Sequence, residues 1–282
     1  MTEPAFQPAS LEGLKRDYPE KVCKLQHNLS THPLLTLDAM VELATRLRPE
    51  HVEYNQGDLP VGIAPGDVPA PRLGIAETIR SIEENGSWMA LKFIENVPEY
   101  RALLEATLAE VEPAIRDRTG PMLNLEGFIF VSAANAVTPY HFDPEHNILV
   151  QVRGNKVLTM FPADEECFAS QQTHEAFAFG AHHRNLDWQD EFAARGTLYP
   201  LTAGEALYVP VKMPHWVKNG PELSISLSIT WRSEWSASES DARAFNATLR
   251  RIGLKPSQPG RWPARNLAKA YGWRLLRRLG AG

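Results

Sequence analysis

Residues 137–165 read VTPYHFDPEHNILVQVRGNKVLTMFPADE. Ile148-Leu149-Val150-Gln151-Val152 and Val157-Leu158-Thr159-Met160-Phe161 are short β-rich runs bounded by turn residues. Between them lies Arg153-Gly154-Asn155-Lys156, whose central Gly-Asn suits a tight hairpin with glycine first. Ahead of both runs, His141-Phe142-Asp143 follows Thr138-Pro139. Alternate residues of an extended backbone face the same way, so this triplet puts an imidazole and a carboxylate on one side. Taken alone, such a triplet is more often a hydrogen-bonded surface pair than a metal site.

Further strands are expected on either side. Phe128-Ile129-Phe130-Val131, Ala206-Leu207-Tyr208-Val209 and Leu223 to Trp231 are β-rich, the last a clean alternation of apolar and hydroxyl residues. The first third has a helical texture: Leu37, Met40, Val41, Ala44 and Leu47 repeat at helical period after Thr36, as do Tyr100, Leu103, Leu104, Leu108 and Val111. Between these helices, Tyr54 to Gly74 holds four prolines and four glycines and reads as a loop of the length used for lids and binding loops. A helical lead followed by many short antiparallel strands predicts a mainly β sandwich or barrel decorated with helices. The expected organisation is a helical N-terminal region packed on the barrel (1–120), a β-barrel core (121–235) and a basic helical C-terminal extension (236–282).

The chain has 282 residues and 43% hydrophobic composition, which suits a packed globular core. The start lacks a secretory signal and no long apolar run occurs, so a cytoplasmic protein without a membrane segment is expected. Cys23 and Cys167 form no CxxC pair, which excludes a disulfide framework or zinc knuckle and predicts ordinary thiols, buried or half-buried. His146 and the pair His182-His183 read as surface residues, and Trp231 as either a pocket wall or a core side chain. Net charge is -5, but residues 241–282 carry ten Lys or Arg against the single acid Asp241. The first 240 residues are therefore at -14. Leu267, Ala270, Tyr271, Leu275 and Leu276 fall at helical spacing among those cations, predicting a tail helix that packs on the body or on a second subunit. A polyanion contact, RNA included, is the other reading of the basic tail.

A second histidine sharpens the metal reading. In GEALYVPVKMPHWVKNG (residues 204–220), His215 stands where one strand ends in Val-Pro and another begins after Met213-Pro214. His141, Asp143 and His215 meeting at one end of a barrel make the two-histidine, one-carboxylate set of non-haem iron oxygenases, which leaves coordination positions open. A keto acid chelating such a metal needs a cation and a hydroxyl for its far carboxylate. Lys156 and Thr138 supply these, with Asn147 as a further amide contact.

With those residues in view, the stretch 137–165 together with 204–219 resembles the JmjC or cupin-like branch of the Fe(II)/2-oxoglutarate-dependent oxygenases. It is most similar to the subgroup containing the asparaginyl hydroxylase of hypoxia-inducible factor. Thr138, His141, Asp143, Asn147, Lys156 and His215 each fill a place of that subgroup's pattern. The likeness runs from about Leu125 to Trp231. It implies a double-stranded β-helix (jelly roll), Fe(II) held by His141, Asp143 and His215, and 2-oxoglutarate held by Lys156, Thr138 and Asn147. It further implies hydroxylation of a substrate with O2 and release of succinate and CO2. The subgroup's polar substrate-binding residues have no counterpart here, so the substrate stays open among a protein side chain, a tRNA base and a small metabolite. The alternative is a cupin-like protein that holds a metal without oxygen chemistry. The C-terminal helices also resemble those through which some relatives dimerise, so a homodimer is expected.

Overall fold

The computed structural model of the chain describes residues 3–56, 61, 63, 74–180 and 186–280. His182, His183 and most of the Pro/Gly-rich stretch after Gln56 lie outside these residues. The helices are α1 (Pro8–Asp17), α2 (Leu37–Arg46), α3 (Ile75–Arg80), α4 (Ile82–Asn85), α5 (Pro98–Thr119), α6 (Gln171–Phe177), α7 (Glu234–Arg251) and α8 (Leu267–Arg278). The strands are β1 (Cys23–Gln26), β2 (Val52–Gln56), β3 (Ser87–Lys92), β4 (Met122–Ser132), β5 (Val137–His141), β6 (His146–Arg153), β7 (Asn155–Met160), β8 (Thr197–Thr202), β9 (Glu205–Val209), β10 (His215–Asn219) and β11 (Ser224–Ser233). They form a seven-stranded sheet in the order β1-β9-β6-β11-β4-β3-β2 and a four-stranded sheet in the order β5-β10-β7-β8. Every pairing is antiparallel. The result is the expected jelly-roll core with helical additions.

β11 explains how this architecture makes room for chemistry. Ile225, Leu227, Ile229 and Trp231 face the helical layer and join the main core with Leu104 of α5 and Leu43 of α2. Ser224, Ser226, Ser228 and Thr230 point the other way, into the space between the two sheets, and all four are buried. An alternation that reads as one buried and one wet face is therefore buried on both. Its hydroxyl row lines an enclosed polar interior. Part of that interior is filled by Leu149 and Leu207 from the large sheet and by Leu158, Met160 and Val217 from the small one.

Two expectations need correction. Arg153 to Lys156 is not a hairpin: β6 pairs with β11 and β9, whereas β7 pairs with β10 and β8, so the chain passes from one sheet to the other here. Gly154 still meets the local requirement, with φ +70° and the Leu223 carbonyl oxygen 2.3 Å from where a Cβ would stand. The segment before residue 120 is also more than helical. β1, β2 and β3 extend the large sheet on both edges, and Tyr54, expected in a loop, pairs with Met89 within β2 and β3.

His146 and Cys167 also depart from expectation, while Trp231 takes the core position of its two readings. His146 is fully buried and Trp231 belongs to the core, while Cys167 is exposed. His146 bonds Tyr208 Oη through Nδ1 at 2.9 Å and lies 3.0 Å from Ser233 Oγ and 3.2 Å from Tyr18 Oη through Nε2. Its ring stacks on Trp231. Burial pushes its pKa down to about 3, so it is a neutral member of the core's polar network.

Candidate metal centre

β5 and β10 run side by side and bring His141 directly opposite His215. Each imidazole is held in the same way: His141 Nδ1 donates to the Pro139 carbonyl at 2.7 Å and His215 Nδ1 to the Met213 carbonyl at 2.9 Å. A carbonyl only accepts, so the proton sits on Nδ1 in both rings and Nε2 keeps its lone pair. The Asp143 oxygens lie 3.8 Å from His141 Nε2 and 3.9 Å from His215 Nε2. Ligand atoms of the three residues all fall within 4.8 Å of one another, which fits a single ion at their centre.

The register of β5 places Thr138 where simple alternation would not. Thr138 and His141 are three residues apart and would face opposite sides of a regular strand. Between His215 and Val217 the pairing slips by one residue, so His215 faces His141 while Val217 faces Thr138. This bulge returns Thr138 to the interior side, and it occurs at Pro139, which has no N–H to give to the ladder.

Lys156 opens the first interior position of β7, opposite Asn219 and in line with Leu158 and Met160. It is buried, and no ion pair or hydrogen bond among the described residues meets its ammonium. Burial pushes its pKa down to about 7. Asn147 donates one amide N–H to Asp143 Oδ2 at 3.0 Å and accepts from Ser228 Oγ at 2.8 Å, leaving a second N–H. All six residues singled out in the sequence thus stand on strands or loops bordering the inter-sheet space.

Sequence reasoning missed several contributors. Ser228 orients Asn147, and the Met213 and Pro139 carbonyls set the imidazole tautomers. Arg232 bonds Glu145 at 2.7 Å beside the Asp143 loop. Phe128, Phe130 and Trp88 lie half-buried on the same face of β4 and β3 as the β11 hydroxyls, with Trp88 stacked on Phe130. Only the serine row was legible in advance, through its alternation, though not its inward direction.

Fold and centre together define a jelly roll with a two-histidine, one-carboxylate metal-binding set at one end of the inter-sheet space. The profile of the cupin-like domain family matches residues 83–237, more than half of the chain, and the chain belongs to that family. Curated relatives include proteins named for a JmjC domain. The chain is 34% identical over 113 residues to the lysine-specific demethylase JMJ30 of Arabidopsis thaliana, covering 38% of this chain and 26% of the relative. It is 30% identical over 114 residues to JmjC domain-containing protein D of Dictyostelium discoideum, covering 38% and 24%. The matched stretch thus spans about a quarter of each relative. Among solved structures, the Escherichia coli ribosomal oxygenase YcfD superposes with TM-score 0.51 over 96% of this chain and 67% of that one, at 16% identity. A structure of YcfD in complex with cobalt and 2-oxoglutarate matches with the same TM-score at 15% identity. At this identity the likeness shows the fold. Among the described residues no helix is long and apolar enough to cross a membrane.

Proposed function

We propose that the chain is an Fe(II)- and 2-oxoglutarate-dependent dioxygenase that hydroxylates a C–H bond of its substrate. The observation that carries this reading is Lys156, a buried ammonium that meets no partner among the described residues, in the same interior as the three-ligand centre. An unpaired buried cation is costly. A dianionic ligand chelating the metal at one end and meeting Lys156 at the other offsets that cost. Zinc hydrolases use a similar donor set but need no such lysine.

In this reading His141, Asp143 and His215 hold the metal, while Lys156, the Thr138 hydroxyl and the second N–H of Asn147 hold the far carboxylate. Bound there, iron and 2-oxoglutarate supply O2-dependent oxidative decarboxylation, with succinate and CO2 released and one oxygen atom delivered to the substrate. Asp143 offsets metal charge, with Asn147 fixing the direction of one of its oxygens. The apolar plug of Leu149, Leu158, Met160 and Val217 keeps bulk water out of the interior. The half-buried aromatic face of Phe128, Phe130 and Trp88 suits the substrate side. The substrate class stays among protein side chain, tRNA base and small metabolite. Removal of an N-methyl group is the special case in which the hydroxylated carbon sits on nitrogen.

The unpaired thiols Cys23 and Cys167 support a reducing, cytoplasmic setting. A homodimer through the tail is supported by α8 and its C-terminal cap, where Leu267, Tyr271, Leu275 and Leu279, four residues apart, are exposed on one side while Ala270 and Trp273 are buried on the other. The enzymatic reading is tested by incubating the protein with Fe(II), 2-oxoglutarate and air without any substrate and measuring succinate. Slow succinate release that is lost in His215→Ala supports it. Metal binding with no succinate at any enzyme concentration overturns it in favour of a metal-holding cupin.

A further inference from the structure

Outside the centre, three deeply buried charges form one cluster. Lys212 Nζ bonds Glu239 Oε2 of α7, and Arg243 Nε bonds the other oxygen of the same carboxylate. Arg243 also reaches Gln171 of α6 at 2.8 Å. Lys212, Glu239 and Arg243 are each at least 96% buried, with exposures of 3, 4 and 4%. With two cations facing it, Glu239 is held well below the usual carboxylate range. Relative to apolar packing, a buried ion triad adds little stability. What it provides is a fixed separation between the elements that carry its members.

Those elements are α7 and the loop that presents a metal ligand. Lys212 lies in the segment between β9 and β10, three residues before His215. Its backbone N–H donates to the Asp143 carbonyl at 2.7 Å. One residue on, the Met213 carbonyl fixes His215 Nδ1. The backbone of Lys212 is left-handed, with φ +57°, a conformation that glycine adopts without the steric cost a side chain brings. A buried lysine occupies this turn, and its side chain reaches away from the metal to α7.

We infer that Lys212 is a positioning residue: anchored on Glu239, it sets the turn that holds the Asp143 backbone and the His215 ring in register. This inference rests on the reading of His141, Asp143 and His215 as a metal centre. The structural role predicts a local effect on the metal, not only on the fold. The nearby pair Glu175 and Arg250, 2.8 Å apart between α6 and α7, is a matched control because among the described residues it has no bond to the metal-bearing loops.

The experiment titrates anaerobic protein with Co(II) alone and follows the visible ligand-field bands, with far-UV circular dichroism as the check on folding. Wild type, His215→Ala, Lys212→Gly, Lys212→Met, Glu239→Gln and Glu175→Gln are compared. Lys212→Gly relieves the left-handed turn and Glu239→Gln keeps the carboxylate's shape, and only variants whose circular dichroism matches wild type are scored. Folded Lys212 and Glu239 variants are expected to bind Co(II) about ten-fold or more weakly and with shifted bands, while Glu175→Gln matches wild type. Wild-type affinity and bands in the folded Lys212 and Glu239 variants overturn the inference alone. No cobalt bands in wild type, or bands retained in His215→Ala, overturn the metal reading and this inference with it.

Discussion

His141 and His215 face each other across the β5–β10 pairing with ring centroids 4.2 Å apart, and each gives its Nδ1 proton to the carbonyl two residues before it. The shared arrangement turns both Nε2 atoms toward Asp143. Replacing either histidine by alanine removes a ligand and is expected to lower Co(II) or Fe(II) affinity by more than about 100-fold, beyond the effect of outer hydrogen-bond partners. A competition titration against a chelator measures this. Wild-type affinity in either variant would mean that the ion sits elsewhere.

Asn147 connects that centre to the wall of the barrel, since it holds Asp143 Oδ2 and is held by Ser228. Asn147→Ala is expected to weaken metal binding about 10–100-fold, and Ser228→Ala less, because the amide then keeps its bond to Asp143 but loses its own support. The same titration ranks the two variants, and the reverse order would contradict this chain of support.

Lys156 predicts a trade between stability and function. Its pKa is pushed to about 7 in the folded state from 10.5. Between those values the unfolded chain binds the extra proton, so the lysine's contribution to stability rises with pH across this window, and below pH 7 its burial penalty is fully present. Lys156→Met, with a similar stem, is expected to stabilise the metal-free protein at pH 7 by at least about 1 kcal/mol, with the gain shrinking toward pH 10.5. The same variant should lose 2-oxoglutarate binding. Urea unfolding at two pH values checks the first claim. Calorimetry of 2-oxoglutarate binding in buffers of different ionisation enthalpy checks a further one, net proton uptake by the wild-type lysine at pH 8.

Buried histidines set the acid limit of the fold. His146 is held neutral to about pH 3 and His174 is pushed down as well, both chiefly by burial, whereas their unfolded value is 6.5. As pH falls below 6.5 the unfolded chain takes up protons that the folded chain refuses. Each such group therefore removes stability at about 1.4 kcal/mol per pH unit. Urea midpoints should drop steeply between pH 6.5 and 5. In His146→Gln, which cannot titrate, the decline should be shallower, and equal slopes would contradict the assignment.

Gly154 tests the passage between sheets. Its φ of +70° and the Leu223 carbonyl 2.3 Å from a built Cβ leave no space for a side chain. Gly154→Ala is expected to cost more than about 1 kcal/mol in urea unfolding. An unchanged midpoint would mean that β6 and β7 have freedom to rearrange at their junction.

These residues also show what could be read in the sequence. Periodicity exposed β4, β6, β7, β9 and β11, and the helices α2, α5 and α8, because one side of each packs on a core. The spacing of Thr138, His141, Asp143, Asn147, Lys156 and His215 was legible because a metal set constrains residue type and order together. Partnership across the chain was not. The turn at Gly154 has the same local chemistry whether it closes a hairpin or crosses between sheets, and only the pairing of β7 with β10 decides it. His146 looked like a surface residue because its partners, Tyr18, Tyr208 and Ser233, lie 62 to 128 positions away. Likewise, nothing near Lys212 in the sequence points to Glu239. The interior face of β11 was ambiguous for the opposite reason: serines are expected to face water unless an enclosed polar site calls for them.

The most direct test of the oxygenase reading is an anaerobic visible spectrum of the protein given Fe(II) and 2-oxoglutarate. A weak metal-to-ligand charge-transfer band is expected that requires both additions, disappears in His141→Ala and needs more 2-oxoglutarate in Lys156→Ala. Iron binding without that band would contradict the oxygenase reading, because the keto acid would then not be chelated at His141, Asp143 and His215.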